Sequence, residues 1–502
     1  MAKKYDAVVI GAGLGGMSAA TLIAKQGKSV LLLERHNIPG GYATSFCRGR
    51  FEFDVALHEL SGVKSPEGVP GDLYQYLTAI GVADKVEFIR MPDLYRVVDD
   101  NIDMTLPANR DECEEMLMEE FPGEAEGIEN FFDTTINLMK DYKGIINSAA
   151  ARSDDFSVDK FPTFVKNGMK TYGEVLDTFV KDERLKSVLS PYWGYAGLPP
   201  SKVPFQLMSA IWDAFLTNPP HHIRGRCQAL SNAFMDTFFE SGGVVKFNTG
   251  VKKINVKDGK VTGVVTDEDE EVTATVVVSN ANPLSTMINL VGPENTPREF
   301  QREMNSKIIG FSTVNLYIGL DCPSETIGAT VHENFLNMGS GIEEAWERGF
   351  TMKPPEGILF TCYNVTDPLF SPPGTSVIVM TATAYARPWY MIPPDRYVDV
   401  KNRYAEGMLE VGEKYFPGLR EHIEVIEVAT PVTNMRYTGN PGGAIYGTDQ
   451  YLSDSGLLRL QHKAPVDGLF FAGAWTIPGG GFQPSIAAGS IAGGRALGKL
   501  MK

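Results

Sequence analysis

The N-terminal end of the chain restricts the fold more than any other part of the sequence. A β-rich run over residues 5–10 leads into the glycine motif GAGLGG, which occupies residues 11–16. Small and apolar residues at helical spacing follow over residues 15–25, and residues 28–34 (KSVLLLE) have the pattern of a buried strand. A helix between two strands in so short a stretch predicts a β-α-β unit, which requires a parallel sheet.

The glycines of this motif have separate roles in binding a nucleotide. Gly11 permits the tight turn after the strand, and Gly13 leaves room for a pyrophosphate to touch the backbone. Gly16 lets the helix pack against the strand, and the first N–H groups of that helix face the phosphates. Glu34 ends the second strand, where a carboxylate can accept hydrogen bonds from ribose hydroxyls. In this context the motif predicts a dinucleotide site and not merely a structural turn.

Two further glycine-rich segments distinguish FAD from NAD. The pair Gly40-Gly41 follows Glu34 closely and lets the backbone approach the cofactor a second time. Near the C-terminus, a strand over residues 469–472 runs into Gly473 and the glycines at 479–481, and a final helix is predicted over residues 484–500. Its small residues at 487–490 allow close packing on a flat ring or on the sheet, and we expect both. A helix N-terminus aimed at the flavin would stabilise the reduced ring.

We therefore predict one non-covalent FAD, held by the two ends of the chain. The expected cofactor contacts are Gly11, Gly13, Leu14, Gly15, Gly16, Glu34, Arg35, Gly40, Gly41, Ala43, Thr44, Val251, Gly473, Ala474, Gly481, Phe482 and Ile486.

Composition narrows the class of protein and its partners. The chain has 502 residues and a net charge of −16, so we expect two domains and no nucleic-acid partner. Its five cysteines include no CxxC pair, and the spacing of His221, His222 and Cys227 is a weak metal signal, which we interpret as no metal site. There is no apolar run of 18 residues, and the first strand begins too early for a targeting peptide. We expect a cytoplasmic protein that can contact a membrane peripherally.

The order of helical and strand patterns predicts an α/β fold with interleaved domains. Residues 73–216 are mostly helical in pattern, residues 244–278 contain four strands with a hairpin turn at Asp258-Gly259, and residues 311–430 mix strands with proline-rich loops. We assign residues 1–62, 226–290 and 431–502 to a Rossmann-like FAD-binding domain. Residues 63–225 and 291–430 then form an α+β substrate domain with a mixed sheet and a helical lid, whose stretch 156–216 is the expected substrate entry.

Four segments give the chain a family resemblance over nearly its whole length. They are GAGLGG…LLLERHNIPGG, FEFDVALHELSG (51–62), SGGVVKFNTGVKKINVKDGKVTGVVT and GLFFAGAWTIPGGG. With these the chain resembles the flavin amine oxidase superfamily, and within it the branch of phytoene desaturases, carotenoid isomerases and retinol saturases. The resemblance implies a GR2-type FAD domain, with Val251 at the adenine end. Amine oxidases usually have an acidic residue after the glycine that Gly473 matches, whereas Ala474 and Trp475 follow here. Arg226 stands where the family usually has a glycine.

Three residues are candidates for catalysis. His58 lies in the FEFDVALHELSG segment, which the resemblance places near the flavin, and it could exchange a proton with a double bond. The alternative is a histidine hydrogen-bonded in the cavity wall. Arg436 and Tyr437 precede the C-terminal flavin segment and could reach the same cavity.

Four residues are candidates for binding the substrate. Arg224 and Arg226 could hold a substrate carboxylate, or they could pair with surface acids. Trp212 belongs to an apolar stripe at helical spacing that could line a channel for an apolar chain or form ordinary core. Tyr195, in the run YWGY, is open to the same two interpretations.

The resemblance implies an oxidoreductase that desaturates, saturates or isomerises carbon–carbon bonds of a lipophilic substrate such as a carotenoid, a retinoid or a fatty-acid-like lipid. Because there is no second Rossmann motif, electrons would pass to or from a diffusible partner such as a quinone, oxygen or a small carrier. Two alternatives stay open. One is an amine or porphyrinogen oxidase, and the other is a non-enzymatic flavin- or lipid-binding protein.

Overall fold

The computed structural model describes residues 3–150 and 157–502. Residue 156, the start of the expected entry stretch, lies outside these ranges. The strands are, in chain order, β1 (Lys3–Ile10), β2 (Val30–Leu33), β3 (Ser45–Arg48), β4 (Phe51–Asp54), β5 (Phe88–Arg90), β6 (Asp93–Val98), β7 (Asp103–Pro107), β8 (His221–Ile223), β9 (Val244–Lys246), β10 (Val251–Lys257), β11 (Lys260–Thr266), β12 (Glu271–Ser279), β13 (Ser312–Leu320), β14 (Glu333–Leu336), β15 (Ile358–Cys362), β16 (Ser376–Ala384), β17 (Ile423–Ala429) and β18 (Leu469–Phe471).

The helices surround the sheets and fill the space between them. They are α1 (Leu14–Lys25), α2 (Asp72–Ile80), α3 (Arg110–Glu120), α4 (Ala125–Ala150), α5 (Pro162–Asn167), α6 (Tyr172–Phe179), α7 (Glu183–Leu189), α8 (Trp193–Ala196), α9 (Phe205–Thr217), α10 (Arg226–Glu240), α11 (Arg298–Ser306), α12 (Ile342–Arg348), α13 (Tyr363–Thr366), α14 (Ala386–Tyr390), α15 (Tyr397–Tyr415), α16 (Pro431–Thr438) and α17 (Phe482–Leu500).

The first sheet has the order β10-β11-β12-β1-β2-β9, and β18 pairs with the C-terminal end of β12. Strands β18, β12, β1, β2 and β9 are parallel to one another, as a β-α-β unit requires, whereas β11 is antiparallel to β12. The predicted hairpin joins β10 to β11 through Asp258 and Gly259, at φ of 50° and 73°. All strands of this sheet fall within 1–62, 226–290 and 431–502, the segments expected to bind the nucleotide.

The second sheet has the order β17-β13-β16-β15-β14-β6-β7 and is mixed, since β14 and β6 are parallel while the other pairs are antiparallel. Its strand β13 is buried along its whole length, including the polar side chains of Ser312, Thr313 and Asn315. Helices α3, α4 and α6–α9 pack on β6 and β14 around a separate apolar core. The architecture is therefore the predicted α/β fold with two interleaved sheets.

Helix α10 begins at Arg226, where Gly225 and Arg226, at φ of 78° and 70°, turn the chain into it. One element boundary differs from the sequence pattern. Helix α17 begins at Phe482, two residues before the proline that the pattern marks as the start. In the described ranges, no helix combines the length and the apolar character needed to cross a bilayer.

Candidate active site

One large cavity of about 1460 Å³ connects the two sheets. Its wall begins at the glycine motif after β1 and at Glu34, passes the C-terminal segment around Gly473, and ends at helices α4 and α9. A pocket for one drug-sized ligand measures roughly 300–1,000 Å³. This cavity therefore has room for a dinucleotide and a second ligand placed end to end.

The dinucleotide end of the cavity is formed where the two glycine-rich segments meet. A Cβ atom on Gly15 would lie 2.6 Å from the backbone nitrogen of Gly473, and one on Gly13 would lie 2.7 Å from Nδ2 of Asn280. Gly13 is the N-cap of α1 and provides no side-chain cap, so the first N–H groups of the helix are left for a ligand. These features fit a pyrophosphate.

Glu34 and its neighbours form the outer edge of this end. The Glu34 carboxylate accepts hydrogen bonds from the backbone N–H groups of Ala12, at 2.6 Å, and His36, at 2.8 Å, which fixes its position beside the glycine motif. The Arg35 guanidinium donates to the carbonyl of Tyr437 at 2.9 Å. Val251 completes this wall, so the ribose and adenine positions expected from the sequence lie side by side.

The structure brings most of the expected cofactor contacts to one wall. The residues that line the cavity are Gly11, Gly13, Leu14, Gly15, Glu34, Arg35, Gly40, Gly41, Ala43, Val251, Gly473, Ala474, Gly481 and Phe482.

Three expected contacts lie away from the cavity. Gly16 is enclosed by the turn, because a Cβ there would lie 1.9 Å from the carbonyl oxygen of Gly11. The Thr44 hydroxyl is bonded to Gln228, and Ile486 is fully buried in the core between α17 and the sheet. Gly16 keeps its packing role, whereas the contact assignment of Thr44 and Ile486 is corrected.

The small residues of α17 mainly serve helix packing. A Cβ on Gly489 would lie 2.2 Å from the carbonyl oxygen of Gly15, and the hydroxyls of Ser490 and Ser18 are 3.0 Å apart. Only Ala487 of this stripe lines the cavity. The small residues therefore join α17 to α1. The sequence also predicts that they pack on a flat ring, and only Ala487 is placed where it could do so.

Asn280 is a site residue that the sequence reasoning missed. It follows β12, its backbone N–H donates to the carbonyl of Ile10 at 2.9 Å, and its side chain lies between Gly13, Gly15 and Gly473. A polar residue directly after a strand parallel to β1 was the available signal, since ligands bind at the carboxyl ends of parallel strands.

The loop that carries His58 is held by an unusual set of hydrogen bonds. Four consecutive carbonyls, those of residues 55–58, each accept a hydrogen bond from a buried side chain, over 2.8–3.1 Å. The donors are, in order, Tyr317, Cys227, Tyr363 and His332. Leu57 has φ of 107°, a strained value for a residue with a branched side chain. Such strain persists only where the surroundings fix the backbone, and it clusters at functional sites.

His58 lies on the cavity wall with its Nδ1 atom 2.7 Å from the Thr361 hydroxyl. Burial lowers the pKa of His58 to about 4, so the ring is neutral at physiological pH. The sequence left two roles open for His58, a catalytic residue or a hydrogen-bonded histidine in the cavity wall. A neutral ring that is hydrogen-bonded to a threonine fits the second role.

Next to His58, the half-buried Glu59 and the buried Glu333 share one tyrosine. The Tyr195 hydroxyl lies 2.6 Å from Oε1 of Glu333 and 3.0 Å from Oε2 of Glu59. Burial, and then the charge of Glu333, raise the pKa of Glu59 well above its usual range, and burial likewise raises the pKa of Glu333. Tyr195 lines the cavity, as the sequence suggested, and so does Glu59. Neither glutamate was expected, because they are distant in sequence.

The glutamate pair gives a prediction about stability. Since folding raises the pKa of Glu59, the folded state binds a proton that the unfolded state, with an ordinary pKa of 4.5, releases. This group's contribution to the free energy of unfolding should therefore fall as the pH rises above 4.5, and the pH dependence should be shallower in Glu59→Gln. Above about pH 7.5, where a histidine of ordinary pKa is mostly neutral, the buried histidines add little slope. Denaturant unfolding of both proteins at several pH values measures this, and parallel pH curves would show that Glu59 titrates normally.

Arg436 and Tyr437 do not reach the catalytic end of the cavity. Helix α16 directs Asn434 inward, where its amide donates to the Ser312 hydroxyl at 3.0 Å. Arg436 is two places further along the helix and projects from another face. Arg436 is exposed, and Tyr437 lies at the nucleotide end against Arg35. Their assignment as catalytic residues is corrected.

Arg224 and Arg226 do not line the cavity either, because each guanidinium is occupied elsewhere. Arg224 pairs with Glu87 at 2.8 Å and Asp367 at 2.7 Å. Arg226 pairs with Glu52 at 3.3 Å and lies over the Phe370 ring. Their assignment to a substrate carboxylate is corrected in favour of ion pairing.

Trp212 is also corrected, since it is fully buried in the core on the back of α9. The face of α9 toward the cavity has helical spacing and is mostly apolar. Its apolar residues are Leu207, Ala210, Ile211, Ala214 and Phe215, and the polar residues Gln206, Asp213 and Thr217 line the cavity beside them.

The parallel sheet, the glycine motif and the continuous cavity together fit an α/β oxidoreductase with a flavin cofactor. The model of the family described as flavin containing amine oxidoreductase matches residues 14–496, and the chain belongs to this family. It is therefore an enzyme of a flavin-containing family, as expected from its N- and C-terminal glycine segments.

Individual relatives place the chain in the predicted branch. It is 26% identical to a chloroplastic prolycopene isomerase of Daucus carota, over 95% of this chain and 78% of the relative. It is 24% identical to an all-trans-retinol 13,14-reductase of Danio rerio, over 93% of this chain and 82% of the relative.

Solved structures show the same fold. An oxidoreductase from Methanosarcina mazei has a TM-score of 0.64 at 19% identity, covering 97% of this chain and 99% of that one. Cyclohexylamine oxidase from Brevibacterium oxydans has a TM-score of 0.64 at 14% identity, covering 99% and 100%.

Proposed function

We propose that this enzyme binds FAD and acts on carbon–carbon bonds of a lipophilic unsaturated substrate, such as a carotenoid, a retinoid or a fatty-acid-like lipid. The observation that carries the proposal is the continuity of the cavity, which joins the dinucleotide loop to the apolar face of α9. The names of the two relatives, an isomerase and a reductase of polyene substrates, support it.

The residues present would hold FAD along the wall already described. The N-terminus of α1 would bind the pyrophosphate, Glu34 the ribose, and Val251 the adenine end. Gly473, Ala474 and Phe482 would border the flavin ring. When bound, FAD supplies hydride exchange at its N5 atom. The protein's own part is to orient the substrate beside that ring and to exclude water.

The lid end of the cavity supports entry of an apolar substrate from a membrane surface. Val69 and Ile146 line the cavity and are also exposed at its rim, Val69 by 60%. We include peripheral membrane contact and a diffusible electron partner in the proposal.

An anaerobic absorbance experiment tests the function. The flavoprotein is mixed in turn with a polyene, an unsaturated fatty acid and an amine, each in detergent and in phospholipid vesicles, first with oxidised and then with reduced flavin. We expect turnover of an unsaturated lipid. Peroxide release with the amine alone would replace the proposal by an amine oxidase, and turnover in detergent but not from vesicles would remove the membrane contact.

A variant of α9 tests the location of the substrate. In Ala210→Trp the indole would fill the apolar part of the cavity, so we expect loss of lipid turnover with an unchanged flavin spectrum. Full turnover in this variant would show that the substrate does not lie against α9.

A further inference from the structure

Glu59, Tyr195 and Glu333 form a cluster in the cavity wall that the proposed function does not yet use. Glu333 is fully buried, and Tyr195 connects it to Glu59 on the wall. Resting on the proposed function, we propose that this cluster holds a proton on Glu59 and adds it to a carbon of the substrate double bond. The enzyme would then saturate or isomerise its substrate and would not desaturate it.

The hydrogen bonds assign the proton within the cluster. A tyrosine hydroxyl has one proton to donate. Tyr195 donates it to Glu333, which is its nearer partner at 2.6 Å. The 3.0 Å contact between Tyr195 and Glu59 then requires a proton from Glu59. Glu59 is thus the carboxylic acid of the pair, and Tyr195 accepts from it.

A second donor stabilises charge on Glu333. The Thr361 hydroxyl donates to Oε2 of Glu333 at 2.8 Å, so the contact of Thr361 with His58 needs the Nδ1 proton of the histidine. Glu333 therefore accepts two hydrogen bonds, which offset part of the rise that burial gives its pKa, so Glu333 is the first of the pair to ionise. Two carboxylates that share one hydroxyl cannot both ionise at low cost, so Glu59 keeps its proton.

The surroundings keep this arrangement at neutral pH. In the part of the chain that the structure describes, the titratable groups that face the pair are His58 and four tyrosines, Tyr95, Tyr192, Tyr195 and Tyr363. Burial lowers the pKa of His58 and raises the pKa of each tyrosine, so all five groups are neutral. Among these described groups there is no cation to balance a second negative charge. The hydrogen-bonded carbonyls of residues 55–58 fix the loop from which Glu59 projects.

The proton step balances in two ways. The O–H bond of Glu59 breaks and a C–H bond forms at one alkene carbon, which leaves positive charge on the neighbouring carbon. In isomerisation, that cation loses a proton back to Glu59 after bond rotation, with no net redox change. In saturation, the cation would take a hydride, which is the chemistry that bound reduced FAD would supply at the cost of its own oxidation, and Glu59 would regain a proton from water. Desaturation would instead need a base at the cavity, whereas Glu333, the first member of the pair to ionise, lies behind the wall.

Infrared spectroscopy tests the proton assignment without turnover. At neutral pH we expect a protonated carboxylic-acid band that Glu59→Gln removes and Glu333→Gln retains. Loss of the band in Glu333→Gln but not in Glu59→Gln would place the proton on Glu333 and overturn the proposal. These changes are isosteric, and an unchanged flavin spectrum checks the fold.

Turnover in D₂O tests the transfer. We expect deuterium on the product carbon, and a rate at least about 10²-fold lower in Glu59→Gln, the usual size of a general-acid contribution. Asp449→Asn is the matched control, because Asp449 is a buried acid bonded to Tyr385 at 2.9 Å that does not line the cavity, and it should keep the wild-type rate. A wild-type rate in Glu59→Gln would refute the transfer alone. If the wild-type protein turns over no unsaturated lipid, the proposed function itself fails.

Discussion

Replacement of Arg459 by methionine should lower the free energy of unfolding by about 3–5 kcal/mol, the cost of removing one partner from a buried charged network. Arg459 is only 1% exposed. Its guanidinium donates to the carbonyls of Tyr446 at 2.6 Å and Ala474 at 2.8 Å, with longer contacts to Thr448 and Asp454. Methionine fills a similar volume but leaves these carbonyls without a donor.

The same change should weaken flavin retention, because Ala474 belongs to the C-terminal segment that borders the cavity. Denaturant unfolding measures the first effect, and the flavin-to-protein absorbance ratio the second. Arg184→Met is the control, since Arg184 is half exposed and its ion pair with Glu120 should contribute little. Equal losses in the two variants would show that the buried guanidinium is dispensable.

Gly13→Val should weaken flavin binding roughly 10-fold to 100-fold while the protein stays folded, in line with the 1–3 kcal/mol cost of overpacking. Gly13 has φ of −75°, which valine adopts without strain. The nearest atom to the new side chain is Nδ2 of Asn280, the mobile end of an amide. The fold can therefore adjust, but the branched side chain takes the space expected for the pyrophosphate.

Gly123→Val is the matched control, because a Cβ on Gly123 would have no neighbour within 4 Å. Equilibrium dialysis of the apoproteins against FAD gives both affinities. Wild-type affinity in Gly13→Val would mean that the pyrophosphate lies elsewhere.

Local sequence determined the elements whose interactions are themselves local. The strand–turn–helix order around the glycine motif, the strand that ends just before Glu34 and the turn at Asp258-Gly259 were predicted correctly. Turn geometry and the order of such elements depend on adjacent residues. The C-terminal glycine segment was recognised for the same reason. This segment meets the N-terminal motif where Gly15 approaches Gly473. The contact belongs to the tertiary structure, and it agrees with the expectation that the two ends of the chain come together.

Side-chain direction was beyond the sequence. Arg436 and Trp212 carry suitable chemistry near suitable segments, yet the rotation of α16 exposes the first and the rotation of α9 buries the second. Arg224 and Arg226 form ion pairs with acidic residues that are distant in sequence.

The sequence by itself thus determined the class of fold, the cofactor loop and the family branch, since these depend on short patterns. Only the tertiary structure decided the composition of the inner cavity wall. Glu59 and Glu333 meet at one tyrosine because β14 of the second sheet passes behind the loop that follows β4. No local pattern marks such a pair, because each glutamate alone would be a costly buried charge. Their shared proton exists only when both are in place.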